Sequence, residues 1–257
     1  MILAIDIGNT TVNLGGLEQG ADGRFHVVFS AKVDTCPVRR SDQYMKEIQA
    51  RLAEKAPGVR FTGCALVSVV PKAEEPLAQC ARAITGVEPL RVTWENCGLE
   101  MAVDTPGAVG RDRFVDAAWA AARMPLPAVT VDMGTATTFN VIGEGGVFLG
   151  GVIAPGLATG LNALSANAAQ LPPVELRTPE RIIGKNTLDC MRSGAVAGAA
   201  AMIDGMLERI EEELGRKVSV VLTGGTARWA EPLIRHEHIY DPDLLHKGLC
   251  VILKKNS

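Results

Sequence analysis

Two aspartates that end apolar runs and lead straight into glycine turns are the residues best suited to chemistry. Asp6 follows Ala4-Ile5 and enters Ile7, Gly8, Asn9, Thr10 and Thr11, while Asp132 follows Thr130-Val131 and enters Met133, Gly134, Thr135, Ala136 and Thr137. In such a frame glycine lets backbone N–H groups approach phosphate oxygens, and Asn and Thr side chains add hydrogen bonds. A carboxylate at the strand end can hold Mg²⁺ directly or through water, because Mg²⁺ takes oxygen ligands and keeps its waters. Taken singly, the first segment also reads as a hairpin with an Asx turn; its recurrence favours phosphate binding. Thr223-Gly224-Gly225, after the β-branched run Val218 to Leu222, is a third turn in which backbone could lie against a nucleotide. Between them stands Gly110-Arg111-Asp112-Arg113, a few residues after Pro106-Gly107. A carboxylate beside two arginines at a helix start suits phosphoryl transfer, the carboxylate taking a proton while the arginines and helix N-terminus attract anions. The alternative is a helix-start aspartate with solvated arginines.

The elements that must position these residues form a repeat. Both aspartate frames continue into a second strand-like run, Val12 to Leu17 and Thr138 to Ile142, so each copy reads as strand, tight turn and returning strand. Two related α/β lobes follow, residues 1–120 and 121–257, joined around Met124-Pro125-Leu126-Pro127. Ser41 is expected to cap a helix to about Lys55, Ala65 to Val70 to form a strand ended by Pro71, and Arg113 to Arg123 to form an Ala-rich helix. Val147 to Ile153 should pair back on Val141-Ile142. Asn186 should cap a helix to about Leu214, with Gly215 just past its end. Along that helix Gly194 and Gly198, with Ala197 and Ala201, make a smooth stripe for close packing, within the lobe or between chains.

Composition narrows the function classes. The 257 residues are 47% hydrophobic and 21% charged, with a net charge of -3, so no basic excess suggests a nucleic-acid partner or a membrane patch. The apolar opening Met1 to Ile5 is broken by Asp6 and reads as a buried strand, not a signal peptide; no stretch has the roughly 18 apolar residues of a spanning helix. The six cysteines are scattered without CxxC spacing, as reduced thiols of a cytoplasmic enzyme would be. His236 and His238 alternate, but no cysteine or carboxylate cluster accompanies them to make a metal site.

These motifs resemble those of the type III pantothenate kinases, within the acetate-kinase/actin/hsp70 architecture. Asp6 to Thr10 resembles the first phosphate loop, Asp132 to Thr137 the second, and Thr223-Gly224-Gly225 the adenosine turn. Gly110-Arg111-Asp112-Arg113 is similar to the family's Gly-x-Asp-Arg signature. Gly150 to Gly156, Gly184-Lys185-Asn186-Thr187, Ser193-Gly194 and the closing Asp241-Pro242-Asp243-Leu244 with Gly248-Leu249 extend the likeness over nearly the whole chain. The resemblance implies duplicated RNase H-like (actin-like ATPase) lobes with an ATP cleft between them. It implies ATP-dependent phosphorylation of pantothenate to 4′-phosphopantothenate, the first step towards coenzyme A. Asp112 would be the general base, and Val103, Gly110, Arg111, Arg113 and Thr187 would line the substrate site. Asp6, Ile7, Gly8, Asn9, Thr10, Thr11, Val12, Asn13 and Thr135 would bind ATP, Asp6 would position Mg²⁺, and Asp132 would hold a monovalent cation, K⁺ or NH₄⁺. The residues alone do not separate a K⁺ from a Mg²⁺ ligand at Asp132. A homodimer through the long helix is also implied, with Thr187 reaching the neighbouring subunit's substrate. Two positions depart from the family pattern: Val103 where a Tyr is frequent, and Arg111 where Ala is usual. They leave as alternatives a regulatory or accessory paralogue, or a kinase for another hydroxylated acid.

Overall fold

The computed structural model describes residues 1–168 and 171–257. In chain order the elements are β1 (Ile2–Ile7), β2 (Thr11–Gln19), β3 (Phe25–Asp34), α1 (Ser41–Lys55), β4 (Gly63–Ser68), α2 (Pro71–Thr85), β5 (Leu90–Arg91), β6 (Glu100–Met101) and α3 (Arg111–Arg123). They continue with β7 (Ala128–Met133), β8 (Ala136–Ile142), β9 (Val147–Pro155), α4 (Leu157–Asn167), α5 (Thr187–Leu214), β10 (Ser219–Thr223), α6 (Ala227–Ala230), β11 (Ile239–Tyr240) and α7 (Leu244–Lys255). Two compact units result: Met1–Arg123 with Gly146–Phe148 and Asp243–Ser257, and Met124–Gly145 with Leu149–Pro242.

In unit one the sheet order is β3-β2-β1-β4-β5. β1 is antiparallel to β2 and parallel to β4. Leu3, Ile5 and Ile7 alternate onto one face of β1, where they pack with Tyr44 and Ile48 of α1 and Leu77 and Ala81 of α2. The alternation turns Ala4 and Asp6 to the opposite face. There α7 packs against β1, β4 and α3. That assignment departs from the simple halves expected at residues 120/121, because the last helix belongs to unit one. The reason is its apolar face: Leu249, Cys250 and Ile252 are fully buried. Gly248 permits the close approach, since a Cβ there would lie 2.5 Å from the Val115 carbonyl oxygen.

Unit two repeats the topology. Its strands run β9-β8-β7-β10-β11, so each unit shows the order third, second, first, fourth, fifth. β7 is antiparallel to β8 and parallel to β10, as β1 is to β2 and β4. Val129, Val131 and Met133 of β7 pack with Val196, Ile203, Leu207 and Ile210 of α5. α5 has the expected ends: the Asn186 side chain accepts from the Asp189 N–H, and Gly215 takes the left-handed conformation at φ 67.

Two local readings differ. Arg40, not Ser41, is the N-cap of α1, and its N–H donates to Gln43 Oε1 at 3.2 Å. Pro71 does not merely end a strand; it is the first residue of α2, a place where its missing N–H costs no helical bond. All six cysteines are free. Among the described residues no helix is long and apolar enough to cross a membrane.

Candidate active site

The first loop is built by the register of β1 and β2. Asp6 pairs with Asn13 across the ladder, and Asn13 Nδ2 donates to Asp6 Oδ2 at 2.8 Å. The turn closes with Gly8 N–H donating to the Thr11 carbonyl at 3.0 Å, leaving Asn9 and Thr10 exposed. Ile7 and Val12 are fully buried, so only their backbone can face a ligand. Thr35, which the sequence did not flag, braces the loop: its N–H donates to the Thr10 carbonyl at 2.9 Å and its Oγ1 to the Gly8 carbonyl at 2.7 Å. Tyr44 fixes Thr35 in turn through a 2.8 Å bond from its hydroxyl to the Thr35 carbonyl. Burial pushes the Asp6 carboxyl up to about 6; the Asn13 bond opposes this, the Asp112 charge adds to it, and Lys32 opposes it again.

α3 begins at Arg111, two residues before the expected start, so Asp112 lies in its first turn. Burial raises the Asp112 pKa above the ordinary carboxylate value, opposed by the backbone bond from Arg113 and by that residue's charge. The Arg113 N–H donates to Asp112 Oδ1 at 2.9 Å. A Cβ on Gly110 would stand 2.7 Å from the same oxygen, so the signature glycine leaves room for the carboxylate. The Arg113 guanidinium lies 5.7 Å from the centroid of Phe148, which packs edge-on against Phe114 at 5.5 Å. Phe148 sits there because β9 begins by pairing with Glu100-Met101. Arg111, 40% exposed, pairs with Glu74 of α2 at 3.1 Å. Val103 is partly buried ahead of the 3-10 turn Pro106–Ala108. Unit one thus brings Asp6, its glycine turn, Asp112 and Arg113 into one neighbourhood.

Unit two holds the second loop. Asp132, the next-to-last residue of β7, pairs with Thr223 of β10. Gly134 N–H donates to the Ala136 carbonyl at 3.0 Å. Gly224 has φ 97, and a Cβ on it would fall 2.3 Å from Asp132 Oδ1, so the Thr223-Gly224-Gly225 turn lies directly against this carboxylate. Thr226 clamps the two loops: its N–H and Oγ1 both donate to the Met133 carbonyl, at 3.1 and 2.7 Å. Thr135 is exposed, and its carbonyl accepts from Gly156 N–H at 3.1 Å and Thr159 Oγ1 at 2.7 Å. Thr226 and Thr159 were missed because neither sits in a recognisable frame; each lies just past a glycine that was read. Thr187, the first residue of α5, is exposed. Farther along, Cβ atoms on Gly194 and Gly198 would meet nothing within 4 Å. His236 Nε2 lies 3.0 Å from Glu211 Oε1. Among the described residues no group of three or more His, Cys, Asp or Glu could hold a metal ion.

The family profile described as type III pantothenate kinase matches residues 2–209. A type III pantothenate kinase from Hyphomonas neptunium is 36% identical over 261 aligned residues, spanning 100% of each chain. One from Thermus thermophilus is 38% identical over 253 residues, spanning 97% of each. Among solved structures, the ethanolamine utilization protein EutJ from Carboxydothermus hydrogenoformans superposes with a TM-score of 0.55 over 97% of this chain and 89% of that one, at 16% identity, a likeness of fold. The repeated strand order makes the two units duplicated actin-like lobes. With both glycine turns, the Gly110–Arg113 signature and full-length relatives in accord, the chain belongs to the type III pantothenate kinase family.

Proposed function

We propose that this protein transfers the γ-phosphoryl group of ATP to the terminal hydroxyl of pantothenate, giving ADP and 4′-phosphopantothenate on the way to coenzyme A. The observation that carries this reading is Asp112, a carboxylate held by the Arg113 N–H at 2.9 Å, given room by Gly110 and near enough to Asp6 for its charge to be felt there. As the hydroxyl oxygen attacks the γ-phosphorus, Asp112 accepts its proton and ADP departs. Arg113, whose guanidinium is oriented by Phe148, attracts the substrate carboxylate. Backbone N–H groups and side chains of Gly8, Asn9, Thr10 and Thr11 receive phosphate oxygens. Asp6 fits Mg²⁺: a single carboxylate without an all-protein cage suits an ion that completes its shell with water and phosphate. Bound there, Mg²⁺ would neutralise charge on the β- and γ-phosphates.

Asp132, packed against the Gly224 turn, is assigned the K⁺ or NH₄⁺ site, with Thr135 as an ATP contact. The chain is assigned a cytoplasmic homodimer through α5. Ile182 and Ile183 ahead of this helix are 63% and 74% exposed, and Gly194 and Gly198 leave an open stripe beside them. Thr187 would then complete the partner's substrate pocket. Of the two departures from the family pattern, Arg111 pairs with Glu74.

Coupled ADP release, measured with and without pantothenate, tests the reading. Pantothenate-dependent turnover is expected, and ADP release driven only by a different hydroxy acid would replace the substrate. Asp112→Asn should lower kcat by about two to four orders of magnitude with ATP binding little changed. A variant that keeps most of its kcat removes Asp112 from the role of base. Turnover should be high in K⁺ or NH₄⁺ and poor in Na⁺; equal rates would refute the Asp132 assignment.

A further inference from the structure

Trp94 lies on the loop after β5, and that loop is firmly tied. Val92 and Cys97 are fully buried at its two ends. The Thr93 N–H donates to Asn96 Oδ1 and Asn96 Nδ2 to the Arg91 carbonyl, both at 2.8 Å. The end of α7 adds two more bonds, from Asn256 Nδ2 to the Asn96 carbonyl at 2.9 Å and from Lys255 Nζ to the Gly98 carbonyl at 3.3 Å. On this fixed frame the Trp94 side chain is nevertheless 40% exposed. The exposed part of this indole is an aromatic surface that a ligand can cover.

Its position says which ligand. The indole Nε1 is 3.8 Å from where a Cβ on Gly107 would be, so the ring adjoins the turn Pro106–Ala108 that feeds Gly110 to Arg113. Trp94 therefore flanks the turn that leads into the segment bearing Asp112. In pantothenate the hydroxyl that would be phosphorylated is carried on a CH₂ bonded to a quaternary carbon with two methyl groups. A base for that hydroxyl needs an apolar surface beside it, or those methyls stay in water.

We propose that the Trp94 indole is a specificity-determining wall of the acceptor site, packing against the geminal dimethyl group next to the reacting hydroxyl. This rests on the pantothenate reading above. The test combines steady-state kinetics and intrinsic fluorescence on the full-length wild type, Trp94→Ala and Trp94→Phe. In Trp94→Ala the KM for pantothenate should rise about tenfold, the loss expected for one apolar contact of this size, while kcat and the KM for ATP stay within about threefold. Trp94→Phe, which keeps an aromatic face, should recover most of the difference. Pantothenate should change the fluorescence of the wild type, and Trp94→Phe should lose that change although Trp119 and Trp229 remain. An unchanged KM in Trp94→Ala overturns the proposal. So does a parallel fall of kcat and both affinities in the two variants, the mark of an indole that only packs the loop. A wild type without pantothenate-dependent ADP release instead defeats the reading of the substrate, and this wall with it.

Discussion

Asp6 is a carboxylate that folding makes harder to ionise, and this has a measurable cost. Its pKa rises from 3.8 to about 6, burial being the main cause. Between those values the folded chain binds more protons than the unfolded one, so the ionised Asp6 disfavours the fold above about pH 6 and the penalty fades as pH falls towards 3.8. At neutral pH the penalty is at most about 3 kcal/mol. Asp6→Asn should accordingly raise the Tm of the ligand-free protein at pH 7.5 while abolishing most activity, and the gain in Tm should vanish near pH 4. A variant no more stable than the wild type at pH 7.5 would show that Asp6 is not desolvated. The strand-and-turn setting of both aspartates was legible in the sequence because each sits in a short local frame. Thr35 and Glu74 were not. Their partners, Gly8 and Arg111, lie far away along the chain, and nothing in local spacing marks a residue that acts across a fold.

At the scale of elements, glycines decide how closely the turns can approach. Gly224 and Gly225 are neighbours with opposite expectations. Gly224 has φ 97 and no room for a Cβ against Asp132 and Met133, whereas a Cβ on Gly225 would meet nothing within 4 Å. Gly224→Ala should therefore lower stability by about 2 kcal/mol or more and raise the KM for ATP. Gly225→Ala should leave Tm nearly unchanged, and equal effects of the two would refute this account of the turn. Long elements with strong ends, such as α5 between Asn186 and Gly215, could be read from residue types alone. α2 escaped because Pro71 can end one element or start the next, and only the packing of Leu77, Ala78 and Ala81 on the sheet settles which. The two-residue strands β5, β6 and β11 owe their state to the neighbour they pair with, so no local pattern could announce them.

For the whole molecule, the repeat of the aspartate frame foretold a repeat of topology, and five strands of the second sheet repeat the order of the first, β6 being added beyond β9. If the dimer is as proposed, Asp112→Asn and Thr187→Arg homodimers should both be nearly inactive. Co-refolded in equal amounts they should regain roughly a quarter of wild-type activity, because about half the dimers are mixed and each mixed dimer has one site free of both lesions. Verified heterodimers without rescue would show that each subunit builds its own site. What the repeat hid was the return of α7 to unit one, since two halves of a sequence suggest two self-sufficient halves of a chain. That return bears on how the protein is made. On the ribosome, Met124–Pro242 is synthesised before α7, so unit two can be complete while β1 and β4 still lack the helix that covers them. The usual N-terminal-first order of domain completion is thereby inverted. The strand bearing Asp6 stays unfinished until α7 leaves the exit tunnel, and a nascent chain cut short near Pro242 would present that uncovered sheet face to chaperones and proteases.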